Sequence, residues 1–175
     1  MHKLIIVASP RARLGPSSVL LRFVRDFSEI ITTFEIHATE GTGRTILGTG
    51  LFIKEDIFLH SPGRNGGVAE LAAMVAQGQC AAVISFLDPE DPWFDAVEYR
   101  ALKRVAIQKR TRLITTYIAA IRWATFEARE IETRENDWRP DNWKEGIPNV
   151  NELGDHKNLE VKDRSIALFP TTKGK

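Results

Sequence analysis

Leu4-Ile5-Ile6-Val7-Ala8, closed at once by Ser9-Pro10 and then by Gly15-Pro16, is the stretch on which the fold turns. The run is apolar at every position, with no alternation, so a strand made from it must bury both faces. Such a strand belongs in a parallel sheet between two helical layers. Ala81 to Leu87 repeats the pattern and ends at Asp88-Pro89, with shorter strand candidates at Phe34 to Thr39, Asp56 to His60 and Arg112 to Tyr117. Helical spacing fills the intervals. Ser17 or Ser18 is a candidate N-cap, followed at helical spacing by Val19, Leu20, Phe23, Val24, Phe27 and Ile30. Gly41 to Leu47 reads as a glycine turn opening a short helix, and Val68 to Gln77 as a helix stopped by Gly78. Phe94 to Lys109 carries Val97, Ala101, Leu102, Val105 and Ala106 on an inner face, and Ala119 to Ile131 closes the series. This β-α alternation predicts a three-layer α/β sandwich around a five-stranded parallel sheet.

A chain of 175 residues is long enough to bury a substantial core as one domain. With 43% hydrophobic and 27% charged residues, it has the composition of a globular protein rather than a disordered or fibrous one. Twenty-four Lys and Arg against 23 Asp and Glu leave a formal charge of +1, which argues against a strong general affinity for polyanions. The basic run from Arg100 to Arg112 has acidic neighbours and no interleaved aromatics, so it reads as a solvated helix face and no nucleic-acid partner is expected. The single cysteine, Cys80, sits in an apolar run and reads as a buried small hydrophobe. Met1 to Ser9 is too short to span a membrane and is followed by Pro10 and two arginines, so a cytoplasmic location without membrane attachment is expected. From Glu132 onward the chain turns polar, with Trp138 and Trp143 set among Pro140, Pro148 and Gly154 and some apolar character returning from Val161 to Phe169. The expected organisation is a domain over 1–131 and an extension over 132–175 that docks on that domain or on a neighbouring subunit.

In parallel α/β sheets ligands sit beyond the carboxyl ends of the strands. The loops expected there hold Ser9, Arg11 and Arg13; then Thr39-Glu40-Gly41-Thr42-Gly43-Arg44; then Ser61-Pro62-Gly63-Arg64-Asn65-Gly66-Gly67; and finally Asp88. Glycine lets a backbone approach an anion, helix N-termini present free N–H groups, and Arg adds charged forks. The set suits a small phosphate-bearing ligand, although turn glycines and N-caps alone account for it equally well. Neither a GxxxxGK[ST] loop nor a GxGxxG after the first strand is present, which argues against an NTPase and a dinucleotide dehydrogenase. His2, His37, His60 and His156 show no metal-ligand spacing, and only His60 lies near the expected site.

The order of these segments resembles the methylglyoxal-synthase-like domain family, which also includes the allosteric domain of carbamoyl phosphate synthetases and a domain of the purine-biosynthesis cyclohydrolase. The matching stretches are Leu4-Ile5-Ile6-Val7-Ala8, Ala38-Thr39-Glu40-Gly41-Thr42-Gly43, Gly66-Gly67 with its helix, Phe86-Leu87-Asp88-Pro89, and Arg100 to Ala106. The resemblance covers about residues 3 to 126 and implies a Rossmann-like or flavodoxin-like sheet. It also implies a phosphate cradle at Thr39, Thr42, Gly43, Gly63, Arg64 and Gly66, which Gly41, Arg44, Asn65, Arg11 and Arg13 extend by position. A ring-like homo-oligomer, commonly a hexamer, is implied as well; no cofactor or metal is expected. The acid–base residues differ. The resemblance places a His-Asp pair at Ser9-Pro10, a lysine near Arg13, and directly after Gly-Gly the aspartate that takes a proton from dihydroxyacetone phosphate; that last position is Val68. A valine accepts no proton, and a general base supplies about 10²–10⁴-fold in rate. Asp95 and Glu98 lie where the family has a His followed by an Asp, and Asp88 matches a family aspartate. The expected function is therefore binding of a phosphorylated metabolite or nucleotide in a sensing, regulatory or sequestering role. The alternatives are an active methylglyoxal synthase using Asp88 or Asp95, and an interaction protein working through its tryptophan-bearing tail.

Overall fold

The strands are β1 (Lys3–Ala8), β2 (Glu35–Thr39), β3 (Ile57–His60), β4 (Cys80–Phe86) and β5 (Arg112–Ile114), all parallel and ordered β3-β2-β1-β4-β5 across one sheet. They come from a computed structural model that describes residues 2–15, 18–78, 80–88, 90 and 97–136. The helices are α1 (Pro10–Arg13), α2 (Val19–Asp26), α3 (Ser28–Ile31), α4 (Glu40–Leu47), α5 (Gly67–Ala76), α6 (Val97–Gln108) and α7 (Tyr117–Asn136). The expected three-layer sandwich is the fold that forms. Asp95 and the tail with Trp138 and Trp143 lie outside the described residues.

The sheet is centred on β1, whose residues 4 to 7 are fully buried. Leu4, Ile6 and Ala8 face one core together with Leu20, Phe23 and Val24 of α2, Ile31 of α3, Ile46 of α4 and Trp123 of α7. Ile5 and Val7 face the other, with Val68, Leu71 and Val75 of α5 and Leu102 and Ala106 of α6. Each fully buried aliphatic side chain contributes about 1.5–3 kcal/mol before conformational entropy is counted. No helix among the described residues is long and apolar enough to cross a membrane.

Several boundaries differ from the sequence reading, each for a local reason. Ser9-Pro10 does not simply break the chain. The Ser9 hydroxyl accepts from the Ala12 N–H at 3.4 Å and Pro10 occupies the first turn, where its missing N–H costs nothing, so a one-turn helix forms. The helix expected through Ile30 divides at Phe27, whose φ of −129° is not helical. The break keeps the Phe23 and Phe27 rings in contact at 5.5 Å and turns Ile31 fully inward. α4 starts at Glu40, so Gly41 and Gly43 lie inside it rather than in a preceding turn. β5 stops at Ile114 because Thr116 caps α7, its hydroxyl accepting from the Ala119 N–H at 3.2 Å, and α7 continues past Ile131 to Asn136.

α5 is seated by one close approach. The Gly67 N–H donates to the Pro62 carbonyl at 3.2 Å, and a Cβ at Gly67 would run into the Ser61 carbonyl. Backbone cannot move aside as a side-chain tip can, so Gly67→Ala is expected to destabilise by about 1–3 kcal/mol. At about 2–4 °C per kcal/mol for a domain of this size, a thermal melt resolves the change, and an unaltered melting temperature would contradict the seating.

Candidate functional site

β1, β2 and β3 end along one edge, where Ala8, Thr39 and the Pro62–Asn65 segment border a cleft of about 610 Å³. Arg13, Arg44 and Arg64 line it, against two carboxylates, Glu40 and Glu98. Arg13 is delivered by α1 and lies against the first turn of α4, where a Cβ on Gly41 would collide with its guanidinium. Its Nε is buried and has no hydrogen-bond partner among the described residues. An atom sealed from water in the open cleft is equally out of a ligand's reach, so it is the rest of the Arg13 side chain that lines the cleft. Arg44 pairs with Glu40 one turn back at 2.6 Å while remaining 72% exposed. Exposed pairs at this spacing contribute only about 0.3–0.5 kcal/mol, so Arg44 can turn toward a ligand at small cost.

Two helix starts border or adjoin the cleft, and neither has a side-chain cap among the described residues. Thr39 occupies the cap position of α4 but contacts the Thr42 hydroxyl at 3.1 Å instead. At α5 the cap is Gly66, held at φ +92°, a conformation open to glycine. The first-turn N–H groups therefore have no side-chain cap among the described residues, although Glu40 and Glu70 place a carboxylate in the first turn of α4 and of α5, beside the positive end of each dipole.

The expected site residues divide according to where the fold puts them. Arg13, Thr39, Gly41, Arg44, Gly63, Arg64 and Asn65 line the cleft, with Gly66 just behind at the start of α5. Thr42 does not face it. This side chain is fully buried and ties α4 to β1, accepting from the Ala8 N–H at 3.1 Å. Gly43 is also buried, and its missing Cβ leaves room for Leu59 rather than for an anion. Arg11 and Asp88 border a second cavity, with Thr115 and Tyr117, because residues two apart on a helix point about 200° apart. Arg11 forms an ion pair there with Glu90, and the Asp88 carboxylate accepts from the Glu90 N–H at 2.9 Å.

Glu40, Pro62 and Tyr99 line the cleft without having been singled out from the sequence. Tyr99 was legible: it stands three and seven residues before Leu102 and Ala106, the buried positions of α6. Two positions where the resemblance expects titratable residues, a histidine at Ser9 and an aspartate at Val68, are used structurally. Ser9 is 1% exposed, and its hydroxyl accepts from the Ala12 and Asp88 N–H groups, joining the end of β1 to the end of β4. Val68 is fully buried against Ile5, Val7 and Leu71.

A doubly wound α/β domain with an arginine-lined cleft at the carboxyl edge of its sheet is the class these features define. The model of the MGS-like domain family matches residues 19–115, and the chain belongs to that family. A methylglyoxal synthase from Rhizobium etli is 29% identical over 100 residues, covering 57% of this chain and 78% of that protein. A second, from Allorhizobium ampelinum, is 33% identical over 85 residues, covering 49% of this chain and 66% of that protein. The crystal structure of methylglyoxal synthase from Elizabethkingia anophelis shares the fold, with a TM-score of 0.59 at 24% identity over 70% of this chain and 76% of that one.

The buried role of Thr42 is open to a direct check. Thr42→Val keeps the shape but leaves the Ala8 N–H without its acceptor, which costs about 1–3 kcal/mol. A lowered urea midpoint is expected; an unchanged midpoint would mean that the Ala8 amide is satisfied otherwise.

Proposed function

We propose that the chain binds a phosphate-bearing small molecule, a phosphorylated metabolite or a nucleotide, in the cleft beyond β1, β2 and β3. Its role is then sensing, regulation or sequestration, without lyase turnover. The convergence of Arg13, Arg44 and Arg64 on one cleft, beside a start of α4 that has no side-chain cap, carries this reading. Three guanidiniums, Arg13, Arg44 and Arg64, against the two carboxylates Glu40 and Glu98 leave the cleft with an excess of positive charge, which favours an anion. Each charge-assisted hydrogen bond to a phosphoryl oxygen contributes about 1.5–3 kcal/mol before desolvation. Val68 and Ser9 argue against turnover, since both positions are committed to core and cap. A cytoplasmic homo-oligomer, hexameric by family resemblance, belongs to the same reading.

One observation favours a second reading. Glu98 lines the cleft, and two relatives bear the name methylglyoxal synthase. A lyase converting dihydroxyacetone phosphate to methylglyoxal and phosphate would use Glu98 as its base. Asp88 faces the second cavity and suits that role less well.

The purified chain incubated with dihydroxyacetone phosphate is expected to release methylglyoxal no faster than buffer does. Release that is well above background and abolished by Glu98→Gln would establish the lyase instead. For binding, inorganic phosphate, triose phosphates and nucleotides are compared by thermal shift, where a ligand at a hundred times its Kd stabilises by about 2.7 kcal/mol. Arg13→Ala is expected to weaken inorganic phosphate by about tenfold to a hundredfold, while Arg104→Ala on the exposed face of α6 has no effect. Equal affinity in the two variants would remove Arg13 from the site.

A further inference from the structure

Two histidines meet ring to ring beside the loop that lines the cleft. His37 of β2 and His60, the last residue of β3, are brought together because Thr39 pairs with His60 in the parallel register, which leaves His37 diagonal to it. The His37 Nδ1 and His60 Nε2 atoms are 3.0 Å apart. The outer nitrogens each meet a carboxylate: His37 Nε2 is 2.7 Å from Glu35, and His60 Nδ1 is 3.0 Å from Glu70 of α5. The same Glu70 oxygen accepts from the Ser61 N–H at 3.4 Å, where the cleft loop begins. His37 is buried and stacked on Phe58 at 4.9 Å, and Lys3 of β1 approaches Glu35 at 4.0 Å.

Counting protons shows what this arrangement requires. An ionised carboxylate only accepts, so both outer ring nitrogens must carry hydrogen. If both imidazoles were neutral, two lone pairs would then face each other across 3.0 Å. All three bonds exist together only when a third proton lies between the rings, making one of them an imidazolium. Burial lowers the His37 pKa, and of the two rings His37 is the less exposed. Hydrogen bonds from Ser61 and then His60 hold the Glu70 carboxyl below its usual range, which keeps it an acceptor.

We propose that His37 and His60 share this proton as an imidazole–imidazolium pair, and that the pair positions the loop following β3 for anion binding, so that affinity falls as pH rises. The proposal rests on the anion reading of the cleft. Loss of the proton sets the two lone pairs in opposition. One of the three hydrogen bonds must then be given up, that to Glu35, that between the rings or that to Glu70; where the bond to Glu70 is lost, the oxygen that also holds Ser61 shifts with it. The ladder's net charge meanwhile drops from −1 to −2 close to the cleft loop. Both effects disfavour an anion on the alkaline side, and by linkage anion binding takes up a proton. Among the described residues no group of three or more His, Cys, Asp or Glu is placed to hold a metal, so the pair is read through its proton.

Sulfate is the probe, because its charge is constant across the imidazole range and any pH dependence belongs to the protein. Calorimetric titration of the full chain from about pH 5.5 to 8.5 is expected to show affinity falling about tenfold, with proton uptake on binding. His60→Gln is expected to flatten that change to within about twofold, and Glu70→Gln to move its midpoint to lower pH. Imidazole ¹⁵N NMR of the ligand-free chain reads the pair independently and should show the two rings titrating as one coupled unit. Independent titration of the rings would overturn the shared proton. A coupled pair with pH-independent sulfate affinity would overturn its positioning role. Absence of sulfate binding at every pH, with the coupled pair intact, would overturn the anion cleft and the positioning role together while leaving the shared proton in place.

Discussion

The double-sided burial of β1 is the constraint on which the rest depends. Residues 4 to 7 alternate between two cores and are completely excluded from water on both, so neither helical layer can be removed without exposing half of the strand. With β1 central, its carboxyl end falls where the strand order reverses, β2 and β3 lying to one side and β4 and β5 to the other. Chains leaving that end must diverge, and the divergence opens cavities on both sides of Ser9. The cleft is a consequence of packing order before any side-chain chemistry is considered.

Around that cleft, interactions that stabilise the domain and interactions available to a ligand are sharply divided. Ser9, Thr42 and Val68 are spent inward, as cap, tie and core. Arg13, Arg44 and Arg64 face the cavity. Where family resemblance expects titratable groups at Ser9 and Val68, the chain has groups that hold strands and helices together, and the cleft keeps three guanidiniums against the carboxylates of Glu40 and Glu98. That division is the physical basis for preferring recognition over chemistry here.

The histidine ladder adds a second electrostatic layer at the β2–β3 edge. The cleft relies on fixed guanidinium charges, whereas the ladder relies on an ionisable pair held between Glu35 and Glu70. Both meet in the Ser61–Asn65 segment, which is anchored to α5 through Gly67 and through Glu70. A segment held from two sides transmits a change at either hold.

The five-stranded layout was legible in the residues because apolar runs such as Leu4–Ala8, and Ala82–Phe86 interrupted only by Ser85, can only be covered on both faces, and burial is a property that composition records. The arginines and glycines at the strand ends were likewise legible as a group, since turn chemistry is local. What each one touches was not. Arg11 and Arg13 are separated by the single turn of α1 and so enter different cavities. Thr42 is drawn inside by an amide 34 residues away, and Gly43 is required by Leu59 rather than by an anion. His37 and His60, 23 residues apart, looked like unrelated histidines until the register of two parallel strands set their rings 3.0 Å apart between two carboxylates. Local sequence determines which faces must be dry and where the chain must turn. Strand register and helix phase, which depend on the whole sheet closing at once, decide which polar atoms meet.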